Sequence, residues 1–156
     1  MSNTLEKLKA REAKLLCRTY SRYPIAVERG RGARLWDFDG KEYVDLLAGI
    51  AVVGLGHGNE EIADVMAAQA RKLVHVSNLF YQEEQLDFAE KLLATCHAGK
   101  AFFCNSGAEA NEAAIKIARR YQRQVKGRDA WEVVSLDNCF HGRTLAALAA
   151  TGKHTE

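Results

Sequence analysis

Apolar residues recur at two different periods along the chain, and the places where the period changes mark its elements. Near the start, Leu5, Leu8, Leu15 and Leu16 fall, with Glu12, close to one face of a charged helix, which Pro24 forbids from continuing. The period then shortens to two. Ile25 to Glu28, Arg34 to Phe38 and Glu42 to Asp45 read as short strands, with turns at Gly30-Arg31-Gly32 and Asp39-Gly40, so an antiparallel meander is expected. Ala48 to Gly58 places glycines among apolar residues, which suits close backbone approach and leaves open a loop packed on the core or one lining a ligand. Asn59 can cap a helix carrying Ile62, Val65, Met66, Gln69 and Leu73 on one side. After the apolar connector Val74 to Tyr81, a further helix uses Leu86, Ala89, Leu92, Leu93 and Cys96, with Gly99 as its stop.

The stretch that organises the rest begins at Lys100. Lys100 to Cys104 is short and apolar, Asn105-Ser106-Gly107 breaks it, and Ala110, Ala113, Ala114, Ile117, Ala118, Tyr121 and Val125 follow at helical spacing. Trp131 to Leu136 is a second apolar run rich in β-branched residues, and Thr144 to Ala150 a short helical one. Strand, helix and strand in that order predict a βαβ unit with parallel strands and a right-handed crossover, hence an α/β protein. Both loops after the strands then open on one sheet edge, where ligands of α/β proteins sit, and the first also presents a helix N-terminus suited to a phosphate.

Composition narrows the ligand. The net charge of +2 arises from 22 basic and 20 acidic residues mixed along the chain, which gives neither a nucleic-acid footprint nor a polybasic membrane patch. Cys17, Cys96, Cys104 and Cys139 form no C-x-x-C pair, as suits a reducing cytosol, and the histidines lack zinc-like spacing. No signal peptide or membrane-spanning run is expected, because Leu46 to Leu55 is broken by glycines and far shorter than the roughly 20 residues a spanning helix needs. A small-molecule ligand fits best.

Each candidate residue has two readings. Ser106-Gly107-Ala108-Glu109 matches the S-x-x-E capping box, yet the Ser106 hydroxyl and the N–H groups of Gly107 and Ala108 could equally surround a phosphate. Phe140 either tucks into the core or covers a flat heteroaromatic cofactor held by that phosphate. His141 is a hydrogen-bonded loop residue, and Cys139 with His141 is too small a set for a metal. Arg143 is either a solvated first-turn residue or a two-pronged grip for a carboxylate.

Asn105-Ser106-Gly107-Ala108-Glu109-Ala110-Asn111-Glu112-Ala113, followed by Phe140-His141-Gly142-Arg143-Thr144, resembles the class III pyridoxal-phosphate-dependent aminotransferases, and most of all their branch acting on N-acetylornithine. Trp36 to Asp45, Gly49 to Val52 with Leu55-Gly56-His57, and His75 to Tyr81 match in the same order. The resemblance implies a fold-type I transferase. Residues 1–46 would be the helix and meander of a small domain, and residues 47–156 the start of a large domain with a mostly parallel sheet, both belonging to the N-terminal portion of a longer protein. It implies pyridoxal 5'-phosphate as cofactor, with Ser106, Gly107 and Ala108 on its phosphate, Phe140 on its ring and Arg143 on the substrate's carboxylate. It also implies small-molecule amino-acid and 2-oxo-acid substrates (N-acetylornithine and 2-oxoglutarate, in arginine biosynthesis), a cytoplasmic location and a homodimer with segments 49–57 and 75–81 near its interface. The lysine that bonds the cofactor lies beyond residue 156 in that family, so these residues alone are expected to be inactive. Succinylornithine, ornithine and 4-aminobutyrate are the alternative substrates, and a non-catalytic phosphate-binding or structural domain is the alternative of another class.

Overall fold

The computed structural model describes residues 3–152, which fall into two compact units, one reaching to Phe80 and the other starting at Tyr81. The first opens with α1 (Asn3–Leu15), whose surface carries the ion pair of Lys9 with Glu6 at 3.0 Å. This helix ends well before Pro24, so the proline is not what stops it.

The meander follows as β1 (Val27–Arg31), β2 (Arg34–Asp37) and β3 (Glu42–Val44), antiparallel and in that order. Arg29 stands opposite Trp36 and lays its guanidinium 4.0 Å from the ring centroid, while Leu35 stands opposite Tyr43 and Arg34 pairs with Glu42 across the second ladder. Such cross-strand pairs fix the register. Asp37 closes the β2–β3 turn: one carboxylate oxygen accepts the N–H groups of Asp39 (3.0 Å) and Lys41 (2.9 Å), the other the Tyr43 hydroxyl (2.8 Å), and Gly40 supplies the positive φ of 79°.

The glycine-rich stretch is tied back onto this hairpin. Gly32 and His57 exchange backbone hydrogen bonds of 2.8 and 2.9 Å, and a Cβ on Gly30 would lie 2.7 Å from that of His57. His57 also meets Asp45 through Nε2 at 2.7 Å, and the other Asp45 oxygen accepts the N–H groups of Leu47 (3.0 Å) and Ala48 (2.9 Å). Between them lies α2 (Ala48–Ala51), a single turn in which all four residues have positive φ, Ile50 among them at 62°. α3 (Glu60–Lys72) starts as expected at Asn59, whose side chain accepts the Ile62 N–H at 3.1 Å, and a 3-10 turn (Ser77–Leu79) lies in the connector.

The second unit holds α4 (Glu83–Leu93), α5 (Gly107–Gln124) and α6 (Leu145–Ala149). α4 ends before the expected Gly99 stop, because the Thr95 hydroxyl and backbone N–H both turn back to the Leu92 carbonyl (2.8 and 3.1 Å). Lys100 to Cys104 and Trp131 to Leu136 flank α5 as the βαβ pattern requires, but neither forms a strand. The expectation that they pair in parallel within this chain is therefore corrected: an extended segment becomes a strand only against a partner, and the described residues bring no ladder to either. Their few ties are to helices, with Phe103 against Phe88 (5.9 Å between centroids) and the Trp131 carbonyl accepting from Arg119 at 2.8 Å.

Coverage of the apolar faces is correspondingly slight. Among the described residues Ala147 is the fully buried apolar side chain, while Met66 on α3 is 67% exposed and Val134 is 95% exposed. Helix faces patterned for a core lie open. Among the described residues no helix is long and apolar enough to cross a membrane.

Candidate active site

The site starts at the N-terminus of α5. Ser106 is extended, and its Oγ accepts the Glu109 N–H at 3.2 Å, while the Glu109 carboxylate reaches back to the Asn105 N–H at 2.6 Å. This is a capping box displaced by one residue at its return bond. The next N–H groups, on Gly107 and Ala108, stand at helix positions with no intrahelical carbonyl to meet. The place a Gly107 side chain would take is open, with no atom within 4 Å.

The second loop is pinned onto this helix start. Gly142 has φ +130°, and a Cβ there would stand 2.7 Å from the Ala108 Cβ and 3.0 Å from the Ala147 Cβ, so only glycine lets the chain pass between α5 and α6. Asn111 donates through Nδ2 to the His141 carbonyl at 2.6 Å. Oε1 of Glu112 accepts from the Thr144 hydroxyl at 2.6 Å and the N–H groups of Ala146 and Ala147 at 3.0 and 3.3 Å. The Thr144 hydroxyl bond holds the Glu112 carboxyl below its usual range, with the two amides adding to it against some desolvation. From the far side the Thr151 hydroxyl accepts the His141 N–H (3.1 Å) and donates toward the Ala147 carbonyl (2.9 Å), while Cys139 Sγ lies 3.2 Å from the Ala150 carbonyl and from the Gly152 amide.

A pocket of about 380 Å³ results, lined by Gly107, Ala108, Asn111, Phe140, His141, Gly142 and Arg143. Four of the five residues singled out from the sequence, Gly107, Ala108, Phe140 and Arg143, thus line one cavity, and Ser106 caps the helix at its edge. The Phe140 ring is 61% exposed rather than tucked into a core, and the Arg143 guanidinium lies 5.5 Å from its centroid. Asn111, Glu112 and Thr151 were missed as individual contributors. The signal for the first two is a polar pair set among alanines on an otherwise small, apolar helix face.

A pocket at a helix N-terminus, lined also by an aromatic ring and a guanidinium, offers the kind of groups that an anion-bearing small molecule would meet. The model of the aminotransferase class-III family matches residues 16–156, and the chain belongs to that family. Among curated relatives it is 46% identical over 142 residues to the acetylornithine aminotransferase of Methanocaldococcus jannaschii, covering 91% of this chain and 36% of the relative. It is 50% identical over 135 residues to that of Prochlorococcus marinus, covering 86% and 32%. Among solved structures, the ornithine aminotransferase of Toxoplasma gondii superposes with a TM-score of 0.91 at 29% identity, over 97% of this chain and 36% of that one. The acetylornithine aminotransferase of Elizabethkingia anophelis gives 0.80 at 33% identity, over 92% and 36%. The chain therefore spans about a third of the length of the relatives it matches, and its α/β class is that of fold-type I transferases.

Proposed function

We propose that the full-length protein is an acetylornithine aminotransferase that uses pyridoxal 5'-phosphate to exchange an amino group between N-acetylornithine and 2-oxoglutarate, a step of arginine biosynthesis. The observation that carries this reading is the convergence of Gly107, Ala108, Phe140 and Arg143 on one pocket at the start of α5. The residues fit the cofactor. Two N–H groups without intrahelical partners and an open Gly107 suit its phosphate, and the exposed Phe140 ring suits one face of its pyridine.

Ser106 need not choose between its two readings. Its oxygen accepts the Glu109 amide while its own proton is free to be donated, so one hydroxyl can cap α5 and bind a phosphate oxygen together. Bound here, the cofactor supplies a conjugated ring that takes up the electron pair left on the carbon carrying the amino group. The chain's own share is to hold and orient: the α5 terminus fixes the anionic end, Phe140 fixes the tilt of the ring, and Arg143 meets the substrate's carboxylate as a two-pronged donor. The lysine such chemistry requires is expected past residue 156.

Homodimerisation is part of this proposal, supported by exposed apolar side chains in the two segments expected near the interface, Ile50 at 89% and Leu79 at 83%. So is a cytoplasmic location, supported by four cysteines that are all free. The division into residues 1–46 and 47–156 is likewise proposed for the full-length fold.

The test is cofactor titration and steady-state assay of the full-length protein with N-acetylornithine, succinylornithine, ornithine and 4-aminobutyrate. N-Acetylornithine should give the highest kcat/KM. Ser106→Ala should weaken cofactor affinity about tenfold, as befits one hydrogen bond to a charged group. Arg143→Ala should keep the cofactor and lose about ten- to a hundredfold in kcat/KM. Absence of cofactor binding in the parent protein overturns the proposal, and a preference for ornithine transfers it to the activity named for the Toxoplasma neighbour.

A further inference from the structure

We infer that Glu112, with Asn111 beside it, is the positioning residue of the site: it sets the pose of the loop that carries Phe140 and Arg143, and through them the cofactor's ring and the substrate's carboxylate. This rests on the functional reading above.

A helix of five residues cannot persist alone, since nucleation is unfavourable and its first amides need acceptors. Thr144 occupies its N-cap, yet the Thr144 side chain caps nothing in α6. The acceptor comes instead from another element, more than thirty residues earlier: Oε1 of Glu112 takes the Ala146 and Ala147 amides and the Thr144 hydroxyl together. An ionised carboxylate is the group suited to three donors on one oxygen, because charge-assisted bonds are shorter and stronger than neutral ones.

One helical position earlier, Asn111 holds the His141 carbonyl at 2.6 Å. The loop is thereby fixed at residue 141 by one side chain of α5 and at 144 by the next. Between the two anchors lie only Gly142 and Arg143, and Phe140 immediately precedes the first. Gly142 sets the distance of the loop from α5 by its contact with Ala108, and contact alone leaves the loop free to pivot. The two anchors on the α5 side, with Thr151 on the far side, remove that pivot. Glu112 lines no part of the pocket, so its influence passes through the backbone of residues 141–147.

The test uses Glu112→Ala, Glu112→Gln and Thr144→Val in the full-length protein, with two kinds of measurement. The first needs no cofactor. Hydrogen exchange of the Ala146 and Ala147 amides should speed up about tenfold in Glu112→Ala, as expected for amides that lose a charged acceptor. It should speed up less in Glu112→Gln, which keeps an acceptor oxygen, and less again in Thr144→Val, which keeps the carboxylate. The second is pyridoxal phosphate binding, followed by affinity and by the circular dichroism the bound ring acquires from a fixed orientation. Glu112→Ala should weaken affinity about tenfold and diminish that signal, and raise KM for N-acetylornithine more than it lowers kcat, with Glu112→Gln recovering most of each loss. Unchanged exchange at residues 146 and 147 overturns the inference, and so does faster exchange with affinity, dichroism and KM all unmoved, which would leave Glu112 a helix cap only. A parent protein that binds no pyridoxal phosphate is a different failure: it overturns the functional reading, and with it the role assigned to Glu112 toward the cofactor. Should Glu112→Ala not fold, the same comparisons are made between Glu112→Gln and Thr144→Val, and two variants indistinguishable from the parent overturn the inference.

Discussion

The meander and the α5 region solve the same problem, satisfying extended backbone, with opposite success. In β1 to β3 each strand finds its partner a few residues away through a turn, and Asp37 and Asp45 then absorb the amides and hydroxyl that the ladders leave over. Around α5 the segments 100–104 and 131–136 are as apolar as any strand in the chain, yet both lie without a ladder. The difference is one of sequence distance. An antiparallel pair closes locally, whereas parallel strands take partners across long connections, and these need not lie in the same third of a fold. A pocket nevertheless forms at the start of α5, because its parts are joined by side chains of Asn111, Glu112 and Thr151 rather than by a sheet.

The comparison predicts its largest effect for the 156 residues taken by themselves. Mixed with pyridoxal phosphate, N-acetylornithine and 2-oxoglutarate, they should yield no glutamate above the rate of the cofactor alone, and should bind a hydrophobic dye strongly through helix faces such as that of Ile117 and Val125, both more than half exposed. Turnover would overturn the expectation that the reacting lysine lies past residue 156. A sharp cooperative melt without dye binding would show that the open faces are closed in some other way, which breaks the contrast between the two regions.

What the sequence made legible follows the same division. The second and third strands, the Asp39-Gly40 turn, the Asn59 cap and the capping box at Ser106 were readable because each is decided by a few neighbouring residues, whereas the first strand, expected at Ile25 to Glu28, runs Val27–Arg31 and takes Gly30 and Arg31 of the expected turn into its ladder. The absence of a 100–104 ladder was not readable, since an apolar run reports a preference for burial and not the presence of a partner. The left-handed turn at α2 was equally hidden: Gly49 permits positive φ, but nothing local asks it of Ile50. At the site, residue types predicted the convergence of Gly107, Ala108, Phe140 and Arg143, whereas the clamps had to be seen. A polar pair among alanines marks a helix position as unusual, but does not say which loop, more than thirty residues away, it will hold.

A smaller effect sharpens the comparison at the one place where backbone contact, and not a side-chain bond, sets the site. Gly142→Ala combines a left-handed φ with a Cβ that collides with Ala108 and Ala147, so it should destabilise the full-length protein by about 3 kcal/mol. Cofactor affinity should fall with it, since the loop can relieve the clash only by leaving α5. Gly40→Ala in the meander is the matched control: it has φ 79° but open space around the Cβ, and should cost only about 1 kcal/mol. Equal losses in urea melts of the two variants would mean that strain alone, and not close approach, is what glycine relieves at 142.

The smallest expected effect concerns the tie that holds the glycine-rich stretch to the meander. Asp45 is 8% exposed at its side chain, and the His57 hydrogen bond, followed by the Ala48 and Leu47 amides, holds its carboxyl below the ordinary value of 3.8. A group whose pKa is lowered on folding contributes stability that is fully present above its unfolded value and is lost as pH falls through the lowered one. Asp45→Asn keeps an oxygen for the Leu47 and Ala48 amides and a polar atom for His57 but removes the titrating charge. Stability of the parent and of Asp45→Asn should therefore differ most above about pH 4 and converge as the solution is acidified below it. Glu112 and Asp37, also held low by their hydrogen bonds, are present in both proteins and cancel in the comparison. A difference that persists undiminished in acid would mean that the tie acts through shape and hydrogen bonding alone, unlike the charge-assisted hold of Glu112 at α5.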